Sequence, residues 1–343
     1  MAATMNAPRF PLTELPVPCA KNVLQTMSPL QLVVYSLLSK KCKNHVNSIN
    51  YPTEVMSIQF TQGLAIIIKI KQDILRVGFY EPHTQEEMEN KKQLGTPKNV
   101  TIAIGRNETV VEECRWTTNQ LGVKEWVEHL KFVFPNSNDI WLNFMQRSFR
   151  FDLDCVKKIF PNIPKLCIYH TGRFKYNQLI LQKLLPTEVI SIAPNCFRDS
   201  RIPQRILIQN FANVHYAQGP LTRIPLNDLL INNSKQIMAI NSQISSKEFN
   251  KFLKLWIRGA NPRIEFLSVL ISDEFTEYIS MKGITYQKMQ ERKCNLGCLK
   301  NVTLSGGLDV CRMDGTKATV GAFREDNRSW LIIIVWHDHC IVP

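Results

Sequence analysis

"KQIMAINSQISSKEFNKFLKLWIRGANPRIEFLSVLI" (235–271) is the most informative stretch of this chain. An apolar run, "KQIMAIN", gives way to an amphipathic segment and then to a second apolar run, "RIEFLSVLI". Ser245 with Glu248 three residues later forms a capping box, and Ile244 with Phe249 supplies a hydrophobic staple. Phe249, Phe252, Leu253 and Trp256 share one helical stripe, which Gly259 and Pro262 bring to an end. Lys247, Lys251, Lys254 and Arg258 line up on the polar side, as a solvated face or as a surface for an acidic partner. Strands joined in this way by a helix pair in parallel, through right-handed crossovers.

The same alternation recurs upstream. "VKEWVEHLKFVF" precedes "DIWLNF", "LDCVKKIF" precedes "KLCIYH", and "NQLILQKLL" precedes "EVISIA". After "RILIQNF", "LNDLLI" precedes "KQIMAIN". The interval hovers at roughly 20–30 residues, the range of leucine-rich repeats. The expected architecture over 120–272 is therefore an irregular leucine-rich-repeat-like α/β solenoid with one open strand face. Polar residues in or beside its strands, Asn143, His170 and Asn241, are the candidates for binding a protein substrate. Past residue 300, "LDVCRMDGTKATVGA" predicts a hairpin turning at Asp314-Gly315, and "SWLIIIVWHD" a further strand. These antiparallel strands would cap the solenoid.

Upstream of the repeats, "VMSIQF", "LAIIIKI" and "ILRVGFY" read as strands, and the polar stretch 81–99 as a loop or lid. Before them, residues 10–46 have helical periodicity. Cys19, Val23, Leu24 and Met27 fall at helical spacing. Ser28-Pro29 then supplies an N-cap and a first-turn proline for a helix carrying Leu30, Leu32, Val33, Val34, Tyr35, Leu37 and Leu38. A helix apolar nearly all round must be covered on both sides. Its own small domain covers one side, so the other is expected to be an interface.

Composition narrows the function. The chain has 343 residues, 44% of them apolar, enough for a sizeable core and about two domains. Its formal net charge is +13, but Lys and Arg are scattered and no RNA-binding aromatic signature is present. Nucleic-acid or acidic-surface binding is thus the alternative reading, not the first. The longest apolar runs are too short to cross a bilayer, and "MAATMNAPR" lacks a secretory core, so an intracellular protein, cytoplasmic or nuclear, is expected. In a reducing compartment its ten cysteines are free thiols. Cys294, Cys298, Cys311, His337, His339 and Cys340 are zinc-compatible residue types with one short cysteine pair, and no metal is expected there. "HDHC" (337–340) would split its groups between two faces of a strand, which is no catalytic triad. No phosphate-binding glycine motif occurs, and no cofactor or catalytic residue is expected.

Two stretches resemble known families. "FPLTELPVPCAKNVLQTMSPLQLVVYSLLSKKCKNHV" (10–46) resembles an F-box, with Cys42 where many F-boxes carry an aromatic. "LNDLLINNSKQIMAINSQISSKEFNKFLKLWIRGANPRIEFLSV" (226–269) resembles the type 2 F-box-associated domain of the nematode-expanded F-box family. The resemblance implies an F-box domain over 8–50 and a substrate-recruiting region over 51–343, matched most specifically over 200–272. It further implies a non-catalytic adaptor of a ubiquitin ligase, docking on a Skp-type adaptor and through it on a cullin. The docking residues so implied are Phe10, Pro11, Leu12, Leu15, Pro16, Val23, Leu24, Met27, Pro29, Leu32 and Tyr35.

Overall fold

The computed structural model describes residues 12–79, 94–107, 109–117, 120–135, 140–216, 222–273, 276–289, 292–296, 299–304, 306–325 and 328–337. The chain divides into two compact units, Met1–Asn143 with Arg150–Pro161, and Phe144–Phe149 with Asn162–Pro343. Phe10, Pro11 and most of the predicted loop 81–99 lie outside the described residues.

In the first unit a 3-10 turn (Leu12–Glu14) leads into α1 (Val17–Thr26), α2 (Pro29–Ser36) and α3 (Lys40–Ile49). Pro18 sits in the first turn of α1. The start of α2 is doubly fixed: Gln31 N–H donates to Ser28 Oγ (3.2 Å) and Ser28 N–H donates to Gln31 Oε1 (3.0 Å). Ser39 caps α3 by accepting from Cys42 N–H, and Asn50, in the left-handed region (φ 52°), ends it.

Five strands follow as an antiparallel meander: β1 (Val55–Phe60), β2 (Leu64–Ile70), β3 (Asp73–Phe79), β4 (Val100–Arg106) and β5 (Thr109–Trp116). Then come α4 (Val123–Val133), β6 (Ile140–Phe144) and α5 (Leu153–Ile159). The strand order is β6-β1-β2-β3-β4-β5.

The second face of α2 is not open. It packs on β4, β5 and α4, and Leu32 and Val33 are fully buried. The physical demand read from the sequence was sound, since an all-apolar helix needs two covers. The rest of its own unit provides the second. The change of sequence character near residue 50 accordingly does not mark the end of a compact unit.

In the second unit, helices and strands alternate: β7 (Lys165–Ile168), α6 (Phe174–Lys183), β8 (Val189–Ile192), α7 (Gln204–Leu207), β9 (Asn213–Tyr216), β10 (Thr222–Arg223), α8 (Leu226–Ile231), β11 (Gln236–Ile244), α9 (Ser246–Ile257) and β12 (Phe266–Ile271). Strands β7, β8, β9, β11 and β12 are parallel neighbours in that order, with β10 also parallel to β11. Every residue of β8 and β12 is buried, as strands covered on both faces require.

Past α10 (Glu277–Ser280) and β13 (Gln287–Lys288), a separate ribbon of β14 (Arg292–Leu296) and β15 (Leu299–Leu304) precedes β16 (Leu308–Cys311), β17 (Lys317–Glu325) and β18 (Arg328–Trp336). β18 joins β12 antiparallel, β17 joins β18, β16 joins β17 and β13 joins β16. The β16–β17 turn is at Asp314-Gly315, with Gly315 at φ 88°. The result is a mixed sheet after an all-helical N-terminus.

The stretch quoted first is the best-built element. Ser245 Oγ accepts from Glu248 N–H (3.3 Å), and Phe249, Phe252, Leu253 and Trp256 are fully buried. Gly259 (φ 107°) ends α9, and buried Asn261 donates through Nδ2 to the carbonyls of Leu229 and Asn232, both at 2.9 Å. "RGANP" therefore does more than stop a helix: its asparagine also satisfies two carbonyls at the end of α8.

Candidate functional site

The N-terminal helices sort the implied docking residues into two sets. Leu24, Pro29 and Leu32 are buried and hold the unit's own interior, so they are not a contact surface. Leu12, Leu15, Val23, Met27 and Tyr35 are half-buried, and Pro16 is exposed. Two apolar side chains of the same helical segment, absent from the implied set, are more open than the half-buried ones. Val17 is 66% and Leu38 71% exposed. Periodicity could not single them out, because it does not separate a side chain facing the core from one facing a partner. Cys42 is buried at the base of α3, so its departure from the usual aromatic bears on packing. Tyr35 Oη lies 3.2 Å from His45 Nδ1, and burial, reinforced by the Cys42 thiol, pushes its phenol up to about 12. It stays neutral and serves as a hydrogen-bonding group.

The expected substrate-facing residues do not form one described cluster. Asn143 is half-buried and belongs to the first unit. His170, in the second, is exposed just past β7 with φ 38°, and its N–H donates to Cys196 Sγ (3.0 Å). Asn241 lies in β11 where the register with β12 shifts, and its side chain is outside the described residues.

A cavity not anticipated from sequence opens in the second unit. It encloses about 560 Å³ and is lined by Arg201, Thr222, Arg223, Asn227 and Glu248 among others. Arg223 Nη2 donates to Glu248 Oε1 (2.9 Å). Burial alone would raise the Glu248 pKa, but hydrogen bonds from Ser245 and Arg223 outweigh it and hold the carboxyl below its usual range. Nearby Asp228 is shifted up by burial, which Arg201 only partly offsets. The lining thus carries two guanidinium groups and one carboxylate, Glu248, which is already paired with Arg223, beside apolar Pro225 and Leu226.

Among the described residues no group of three His, Cys, Asp or Glu is arranged to hold a metal ion. Cys298, His339 and Cys340 lie outside them. No helix among the described residues is long and apolar enough to cross a membrane.

Comparison with known proteins now bears on both ends of this description. Residues 12–53 match the F-box domain and residues 202–269 match an F-box associated family. Across 91% of its length the chain is 22% identical to the F-box associated domain-containing protein sdz-33 of Caenorhabditis elegans, covering 93% of that protein. No solved structure matches the chain. The first match spans the 3-10 turn and α1–α3, and the second runs from before α7 into β12.

Proposed function

We propose that this chain, which carries an F-box and an F-box associated domain, recruits a protein substrate to a cullin-based ubiquitin ligase. In this reading α1–α3 dock on a Skp-type adaptor, and the second unit holds the substrate. The chain itself does no chemistry and works inside the cell, in cytoplasm or nucleus. The observation that carries the reading is the F-box match falling on helices that leave Pro16, Val17 and Leu38 exposed beside half-buried Leu12 and Leu15. Proline at 16 presets the backbone that presents Leu15, which reduces the ordering cost of binding. Each leucine completed by a partner would contribute roughly 1.5–3 kcal/mol. Phe10 and Pro11 are assigned to this surface from sequence alone.

For the second unit we favour a leucine-rich-repeat-like solenoid. The run of parallel strands in chain order, each reached through a helix or turn, supports it; because β8 and β12 are buried throughout, contact would fall on the loops beside the strands. His170 and Asn241 remain candidates for that contact, and Asn143, in the first unit, is a candidate by itself.

Leu15→Asp tests the docking half. It should abolish co-purification with a Skp-type adaptor while leaving the unfolding temperature nearly unchanged, because the side chain is only half-buried. Undiminished capture of the adaptor by this variant would remove the assignment.

A further inference from the structure

We propose that the outer face of α9 is a docking surface for an acidic peptide segment of the recruited protein, an inference that rests on the substrate-recruiting reading. Lys247, Lys251, Lys254 and Arg258 fall within about 60° of arc at about 100° per residue, along about 16 Å of helix. Lys247, Lys251 and Arg258 are exposed and Lys254 half-buried. The core stripe of Phe249, Phe252 and Trp256 lies diametrically opposite and is fully buried, so no turn of the helix could bring these cations inward. Asn250 Nδ2 donates to the carbonyls of Ser280 (2.9 Å) and Lys282 (3.1 Å), which brings exposed Lys282 to the edge of the same face.

What marks this face is four cations on one side of a single helix with no carboxylate among them. Some cations elsewhere do meet carboxylates: Lys69 with Glu54 (2.7 Å), Arg223 with Glu248 (2.9 Å), Lys235 with Glu265 (2.9 Å). Among the described residues none of the four α9 cations forms an ion pair. Like charges at spacings of three and four destabilise a helix. This helix tolerates the repulsion because its capping box and buried stripe hold it. An acidic partner would relieve it.

The flanks favour a peptide over nucleic acid. Half-buried Ile257 and exposed Leu255 border the cations, whereas all three aromatic rings of α9 face inward and offer nothing for base stacking. Carboxylates at alternate positions of an extended peptide recur every 6–7 Å or so, close to the spacing of successive cations here.

The test uses the full chain and a fluorescent peptide of about ten residues alternating Glu and Leu. Lys247→Glu with Lys251→Glu should weaken binding about tenfold or more, since rim charges govern such encounters. The corresponding arginine pair should retain binding. Lys124→Glu with Lys131→Glu applies the same charge change to exposed positions of α4 and should leave affinity unaltered. Equal loss in the two reversed variants would mean net charge alone attracts the peptide and would overturn the proposal. So would tighter binding of single-stranded oligothymidylate lost in the same α9 variant, because phosphate would then be the ligand. Cross-linking of a degraded substrate separates this inference from its premise. Cross-links in the second unit that persist after α9 reversal sink the α9 face alone, while cross-links confined to the first unit sink the recruiting assignment.

Discussion

Ser36 Oγ and His129 Nε2 lie 2.8 Å apart in the interior of the first unit, although 93 residues separate them in sequence. The single hydroxyl proton of Ser36 goes to the Val33 carbonyl (2.7 Å), so His129 donates from Nε2 and its Nδ1 carries no proton. The bond joins α2 to α4; Nε2 donates in the charged imidazole as well, so it is burial of the ring and not this bond that opposes protonation.

Burial, with a smaller contribution from the Lys43 charge, lowers the His129 pKa from 6.5 to about 4. Between those values the unfolded chain binds the proton and the folded chain does not. Stability is therefore greatest above pH 6.5 or so and is lost as pH falls towards 4, by up to about 3 kcal/mol from this group. Burial also lowers His215 in the second unit, with the same sign, so the comparison must be between chains. Urea unfolding across this range should show a shallower pH dependence for His129→Asn than for the parent chain. Parallel curves would remove His129 from the account.

The helices are bound into their unit at several further points. Asn47 Nδ2 donates to the Phe132 carbonyl (2.6 Å), Tyr51 meets the edge of Phe134, and Ser28 Oγ donates to Glu112 (2.6 Å). A fragment covering 54–343 should consequently aggregate or unfold well below the full chain, and added 12–53 should rescue it. In the full chain Leu32→Ala should cost about 2–5 kcal/mol as a core cavity. A fragment as stable as the parent would show that the helices contribute little to their unit.

Gly307 has φ 145°, and a Cβ there would sit 2.6 Å from Thr319 Cγ2 and 3.1 Å from the Val320 carbonyl. Its own carbonyl accepts Met289 N–H (2.9 Å). Gly307→Ala should lower stability by about 1–3 kcal/mol through strain and crowding together. Thermal melts settle this, and an unchanged midpoint would mean the turn relaxes freely.

The cysteines should react in two classes. Cys19 and Cys311 are exposed, whereas Cys167 is buried and burial pushes its thiol up to about 12. Brief iodoacetamide treatment of native protein should mark the first two and spare Cys167 until denaturant is added. Rapid native labelling of Cys167 would indicate that β7 opens readily.

Where local signals agreed with one another, the fold was legible. The α9 capping box, its buried stripe and its glycine end all point the same way, and Asp314-Gly315 fixed a hairpin because few residues tolerate its backbone. β9 was missed because "NVHY" has two apolar side chains and owes its strand state to neighbours on both sides. β5 was missed because it lies at the end of the strand order with Val110 and Val111 both 64% exposed, against the pattern of a buried strand. The proposed docking surface was half legible. Sequence located the segment, but only packing separates Leu32, which is fully buried, from Leu38, which is 71% exposed.

The two units are threaded through each other along the chain, with junctions at 143/144, 149/150 and 161/162. A recombination event that swapped one unit for a foreign one would have to splice at all of these points at once. A crossover at any single junction leaves a unit missing a piece of itself. Diversification of the second unit is thereby confined to point changes and loop-length changes within the unit, and wholesale module exchange is closed to it.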